Sequence, residues 1–420
     1  QGQPRRRLFR CGFASTTKPR LLAALYVVKV HEMDEQLIEY VERIIGKPPF
    51  EVQSGIERAI NGPGWAKTQA GQELVQYLEG SERYQIFNEH LQYLGSHGSS
   101  VSLTDLANWV VGRSFLTTPV QASKELNEYV DSTDFEAISI FLISGLHTED
   151  EYEFCNGVKL LNATAINNRR LSEGVIVNSY GHGLPVPRIE SVLCKTYKNT
   201  ISHKPNTEFD KSRNKQDVPI EPLEDVRLAL ILVRPDYGVH TIAHGALVED
   251  GVPIIHSISG WGLHPHKLAG PSPSLINIHL KQADAILNKI LKLEYKTKLK
   301  LKISIDRLNG YYSCNSIVDK AIDLRVCMES IFLTDGNKEQ LRYSLALRAA
   351  QFLAKDADEK IKINKIFKTA YDVTSTAVHN GVMPSRNVEY LKDAARYARE
   401  AILRIIEIGN VEWTRVELGI

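Results

Sequence analysis

His379 stands near the end of the run Tyr371-Asp372-Val373-Thr374-Ser375-Thr376-Ala377-Val378-His379-Asn380-Gly381, and an imidazole is a group that can give and take a proton near neutral pH. Asn380 and Gly381 both tolerate left-handed backbone, so the pair terminates a helix. His379 therefore belongs to a helix's last turn, facing the negative end of the helix dipole. Thr374, Ser375 and Thr376 set hydroxyls within one or two turns of it.

The elements that must hold this histidine have the clearest apolar period in the chain. Ile317, Ala321, Leu324, Met328 and Ile331 fall on one helical face. Leu341, Leu345, Ala349 and Phe352 fall on a second, and Ile363, Phe367, Ala370, Thr374 and Ala377 on a third. Val388, Leu391, Ala395, Ala398, Ile402 and Ile405 make a fourth. Four stripes joined by short connections predict four antiparallel helices.

Three segments, taken in order, resemble the Apea-like branch of the HEPN superfamily. They are Ile322 to Phe332, Leu341 to Leu353 and Tyr371 to Gly381, within a match that covers Ala285 to Gly409. Glu151 to Leu161, with Phe154 and Gly157-Val158-Lys159-Leu160, is more weakly similar to the region that often precedes such domains. The resemblance implies an all-α bundle that acts on RNA as a homodimer and cuts it without a metal or other cofactor. It also implies a setting in bacterial antiviral defence or a toxin-type response.

In that family an arginine separated from the histidine by four to six residues forms a motif with it that faces its twin across a shared cleft, and positions 372 to 374 hold Asp, Val and Thr here. A histidine acting as base and acid drives attack by a ribose 2′-hydroxyl on the adjacent phosphate, and a guanidinium fork stabilises the phosphorane. The product is a 2′,3′-cyclic phosphate. Here the arginine's position is Thr374. The expected catalytic set is His379 with Thr374, Ser375, Asn380 and Arg386, where Arg386 swings back across the turn or Arg342 or Arg348 reaches over from the preceding helix. The alternative is a catalytically inactive module that binds RNA, a nucleotide or a protein partner. Glu329, where the family usually has a glutamate, and Tyr371 are expected to support the site.

Two further patterns have competing readings. His240, His244, His256, His264 and His266 crowd one stretch, and His240 and His244 share a face if the run is extended. No cysteine or matched acidic ligand completes a zinc set, so we read these as sheet and loop histidines and expect no metal. Lys289, Lys292, Lys296, Lys298, Lys300 and Lys302 read first as a solvated helix face. Alternatively Lys298, Lys300 and Lys302, with Arg348, track an RNA backbone beside the histidine.

Upstream, Leu37, Tyr40, Val41, Ile44 and Ile45, then Leu74, Tyr77 and Leu78, then Leu106, Trp109 and Val110, are helical. Breaks fall at Gly62-Pro63-Gly64 and between Gly95 and Ser100. From Phe135 the period changes. Ile138 to Ile143, Tyr152 to Leu161, Gly174 to Val177, Val226 to Val233, Val239 to Val248 and Val252 to Ile258 are short β-prone runs. Asp250-Gly251 reads as a hairpin turn, Gly181-His182-Gly183 as a plain turn, and His203 to Asp217 as a loop.

The fold class is therefore α+β and multidomain. Residues 1–32 read as a disordered or non-native extension, 33–134 as a helical region, 135–274 as a β-rich domain and 275–420 as the helical bundle. With 51 Lys and Arg against 50 Asp and Glu, the whole chain does not advertise a polyanionic partner, so any nucleic-acid contact must be local. Cys11, Cys155, Cys194, Cys314 and Cys327 form no Cys-x-x-Cys pair, which predicts reduced thiols and a cytoplasmic protein. No apolar run reaches the length of about 20 residues that a bilayer requires. The upstream regions are expected to meet a regulatory partner or trigger.

Overall fold

A computed structural model of the chain describes residues 34–46, 68–85, 87, 90–94, 97–99, 102–132, 134–164, 189–200, 203–205, 219–233, 237–248, 274–333, 340–383 and 386–419. The expected extension at 1–32, the break at 62–64, the turn at 181–183, the runs at 174–177 and 252–258, and the Asp250-Gly251 turn lie outside the described residues.

The first helices are α1 (Glu35–Ile45), α2 (Gln69–Gly80), α3 (Leu103–Leu116) and α4 (Pro119–Asp131). Each starts on a side-chain cap, from Asp34, Thr68, Ser102 and Thr118. Such caps satisfy N–H groups that the first turn leaves without partners. Asp34 also ties the unit together, because it accepts from the Tyr77 hydroxyl at 2.6 Å and the Tyr84 hydroxyl at 2.9 Å. The apolar stripes then do what their spacing predicts: Leu37, Val41, Leu74, Leu78, Leu106 and Val110 form one buried core. Two strands interrupt this region, β1 (His90–Leu94) and β2 (His97–Ser99), which the helical period did not foretell.

The central sheet has the order β5-β6-β7-β3-β9, with every pairing antiparallel. Its strands are β3 (Asp134–Ser144), β5 (Tyr152–Glu153), β6 (Lys159–Asn162), β7 (Ser191–Thr200) and β9 (His240–Val248). Short β4 (His147–Thr148) pairs in parallel with β10 (Ser274–Leu275), and β8 (His203–Pro205) joins β1. Three residues of the expected loop at His203 to Asp217 are thus strand. Side chains alternate faces along β3. Phe135 and Ala137 enter the N-terminal helical core, whereas Phe141 and Ile143, further along the same face, enter the C-terminal one. Ile138, Ile140 and Leu142 pack on the opposite face with Val192, Ile242 and Leu247. One strand therefore serves both helical halves.

Val226 to Val233, expected as a strand, is instead the second half of α5 (Glu221–Val233), buried throughout. Apart from Arg227, this buried run is apolar on all sides, so it loses the 3.6-residue signature that separates a helix from a buried strand. It packs on α6 (Asn277–Ile290) and α7 (Tyr295–Ser313).

The bundle comprises α7, α8 (Ile317–Phe332), α9 (Leu341–Leu353), α10 (Ala357–Asn380) and α11 (Glu389–Ile408), with a short α12 (Trp413–Leu418) laid across it. Helix α7 pairs with α8 and α9 with α10, while α11 crosses α7, α8 and α10. The four predicted stripes supply the core, with exposed Ile317 as an exception. Phe332 meets Phe367 and Trp413 edge-on, each at 5.4 Å between ring centres. The same core continues through Leu275, Leu280 and Leu287 into Leu230 of α5 and Leu193 of β7. Among the described residues, no helix is long and apolar enough to cross a membrane.

Candidate functional site

Helix α10 positions the histidine. Asp356 caps its start by accepting from Glu359 N at 2.8 Å. Gly381 ends it with φ of 65°, a conformation that strains any side chain bearing a Cβ. His379 and Asn380 are exposed on the last turn and Ser375 is half-buried one turn back. Arg386 is exposed beyond the turn.

Thr374 stands apart from that group. It is fully buried, and its hydroxyl donates to the Tyr371 carbonyl of its own helix at 3.0 Å. At roughly 100° per residue, Thr374 lies about 140° around the helix from His379, whereas Ser375 lies about 40° and Asp372 about 20° away. Thr374, the position at which an arginine is expected, therefore faces the bundle core, and the histidine faces outward.

The two residues expected to support the site are brought together by a third that the sequence reading passed over. Arg325 on α8 donates to Glu329 at 2.9 Å and to the Tyr371 hydroxyl at 3.0 Å, with its guanidinium 4.5 Å from that ring's centre. The readable signal was the Arg325, Glu329 spacing of one helical turn. Burial raises the Tyr371 hydroxyl's pKa above the ordinary tyrosine value, with Glu329 adding to the rise and Arg325 opposing it. This cluster sits about 12 Å from His379 along α10, so it braces α8 against α10 and does not reach the imidazole.

The other arginines are accounted for by geometry. Arg348 is buried: it donates to the Phe332 carbonyl at 2.6 Å and to Glu417 at 2.7 Å, which pins α12 onto the bundle. That removes it from any surface an RNA could touch. Arg342 is exposed and grips Asp372 through two bonds of 2.6 and 2.7 Å.

On α7, Lys298 is paired with Glu221 and Asp225 at 2.8 Å each, and Lys302 with Glu224 at 3.0 Å. Burial depresses the Lys298 ammonium pKa, but its two carboxylates more than reverse this. Lys300 is exposed. Lys298 and Lys302 line a cavity of about 880 Å³ together with His240, His244, Arg227 and Asp306. Arg227 bridges Glu224 and Asp306 inside it. Gly310 on α7 is needed there, since a Cβ would come within 2.3 Å of the Asp323 carboxylate.

His240 and His244 both line this cavity and the His244 ring lies edge-on to Phe141, but β9 carries a register shift between them, where Leu142 pairs with Ala243 and Ile143 with Thr241, which breaks the simple alternation of an extended run. Among the described residues, no set of three His, Cys, Asp or Glu could hold a metal ion. His256, His264 and His266 lie outside the described residues.

Compared with known proteins, the chain matches no family model, no curated protein and no solved structure.

Proposed function

We propose that the C-terminal bundle acts on RNA in the manner of a HEPN domain, as a metal-independent endoribonuclease with His379 as the proton-transfer residue. The observation that carries this reading is the exposed imidazole on the last turn of α10, next to exposed Asn380 and half-buried Ser375 and ahead of exposed Arg386. It is supported by the order and helical phase of the three segments that resemble the family, which form α8, α9 and the end of α10.

In the reaction, His379 takes the proton of a ribose 2′-hydroxyl as that oxygen attacks the neighbouring phosphorus. The bond to the 5′-oxygen breaks, and an imidazolium returns a proton to it. A 2′,3′-cyclic phosphate and a 5′-hydroxyl remain. With Arg348 buried and Arg342 engaged by Asp372, Arg386 is the arginine of the expected set left to meet the phosphorane charge. The active unit is a homodimer, in which a second bundle brings a matching histidine to the same strand. The upstream helices and sheet hold the regulatory role, in a bacterial antiviral or toxin-type response.

A second reading, RNA binding without cleavage, is favoured by buried Thr374, which leaves no cation five residues before the histidine. One assay separates the two. Purified protein is incubated in EDTA with an RNA oligonucleotide and with the same oligonucleotide carrying single 2′-deoxy positions. Cleavage that gives 2′,3′-cyclic phosphate ends and stops wherever the 2′-hydroxyl is missing supports the nuclease. Binding with no cleavage supports the second reading.

A further inference from the structure

Between α9 and α10 runs an open groove of about 530 Å³ whose walls include Arg342, Lys360, Asn364, Lys365 and Lys368. Its cations differ from Lys298 and Lys302 of α7. Lys298 and Lys302 are neutralised by carboxylates of α5, whereas no described carboxylate pairs with Lys360, Lys365 or Lys368. Of the acidic groups at that end of α10, Asp356 caps the helix and Glu359 accepts from Lys355 N at 2.9 Å, and neither these nor Asp358 lines the groove. Asp372 offsets part of the charge by holding Arg342. The groove therefore carries net positive charge from three lysines.

Helical phase connects this groove with the candidate site. Taking His379 as reference, Lys368 lies about 20° and Lys365 about 40° around the helix, with Asp372 between them and the histidine at about 20°. These residues share one outward stripe of α10. Lys368 stands about eleven residues, roughly 16 Å, from His379 along the axis.

An aromatic ring completes the pattern. Tyr343 is 52% exposed, and the Lys368 ammonium lies 5.4 Å from its ring centre. Cations that follow a backbone beside an exposed aromatic face suit single-stranded nucleic acid, whose unpaired bases stack while its phosphates meet the lysines. A duplex keeps its bases stacked inside and has no use for the ring.

We infer that the α9–α10 groove is a single-stranded RNA-binding surface, with Lys360, Lys365 and Lys368 on the phosphates and Tyr343 under a base, leading the strand along α10 toward His379. This rests on the RNA-acting reading above and moves the backbone contact from Lys298 and Lys302 of α7 to the lysines of α10.

The test is fluorescence anisotropy of the full chain with a labelled single-stranded RNA 12-mer and with the matching duplex, across a series of KCl concentrations. Lys360→Glu, Lys365→Glu and Lys368→Glu are combined in one variant. A control combines Lys124→Glu, Lys281→Glu and Lys392→Glu, the same charge change on exposed sites elsewhere. Tyr343→Ala is measured separately, and melting curves confirm that each variant folds. The groove variant should bind at least tenfold more weakly, with a salt slope shallower by about 2, as expected for three lost phosphate contacts to a single strand. Tyr343→Ala should weaken binding about tenfold, and the control should match the native chain. If the native chain binds RNA and the groove variant binds equally well, the groove assignment is overturned while the RNA-acting reading stands. A preference for the duplex, unaffected by Tyr343→Ala, overturns the single-strand assignment. A native chain that binds neither RNA overturns both.

Discussion

Thr374 donates its hydroxyl hydrogen bond to the Tyr371 carbonyl, 3.0 Å away within the same helix, and is fully buried while doing so. The position at which the proposed RNA-cleaving site would call for an arginine is therefore a core position. Thr374→Arg is expected to destabilise the chain by about 3 kcal/mol or more, because it places an unpaired guanidinium among apolar side chains. Thr374→Val, which keeps the shape, should cost less than about 1 kcal/mol. Chemical denaturation of both variants checks this. An arginine variant as stable as the native chain would mean that residue 374 has an outward path.

Arg348 should prove a structural residue. Arg348→Ala leaves Glu417 and the Phe332 carbonyl without their donor and should lower stability by roughly 2–3 kcal/mol. The affinity of the folded fraction for single-stranded RNA should stay within twofold of native. A large loss of affinity at unchanged melting temperature would return Arg348 to the RNA surface.

Stability should fall on the acid side through Glu224. Burial pushes its carboxyl up, but Arg227 and Lys302 more than reverse this and hold it down at about 2, below its ordinary value of 4.5. A depressed carboxyl contributes stability that is fully present above the unfolded pKa and is lost as pH falls through the folded one. The window is therefore pH 5 to 2, with roughly 3 kcal/mol lost across it. Asp225, pushed up by burial, works weakly in the opposite direction. Glu224→Gln should flatten the profile between pH 5 and 3 in urea titrations. An unchanged acid slope would show that the Arg227 pairing carries no linkage.

Gly310→Ala should destabilise by about 1–3 kcal/mol, because the new methyl overlaps the Asp323 carboxylate. Adding Asp323→Ala should recover part of the loss, a positive coupling in a double-mutant cycle. Strict additivity would place the strain elsewhere.

The bundle was legible because its stripes are one-sided: Leu324, Met328, Phe367 and Ile402 each repeat at helical spacing and each is buried. Asn380-Gly381 likewise announced the helix end that sets His379 at the surface. Val226 to Val233 was misread because complete burial erases periodicity. Lys298 and Lys302 looked like free cations because their carboxylates, Glu221, Asp225 and Glu224, sit on α5, distant in sequence. Thr374 carried two signals: its place on the stripe of Ile363, Phe367, Ala370 and Ala377 pointed to the core where it lies, while its five-residue distance along the chain suggested a neighbour of His379.

The central claim, that His379 moves the proton in RNA cleavage, is tested most directly by comparing native protein and His379→Ala on one RNA in EDTA, with cleavage and binding measured in parallel. The account predicts 2′,3′-cyclic phosphate ends from the native chain and a rate at least about 100-fold lower in the variant, with RNA affinity within twofold. Equal cleavage by His379→Ala, or no cleavage by the native protein, would contradict it.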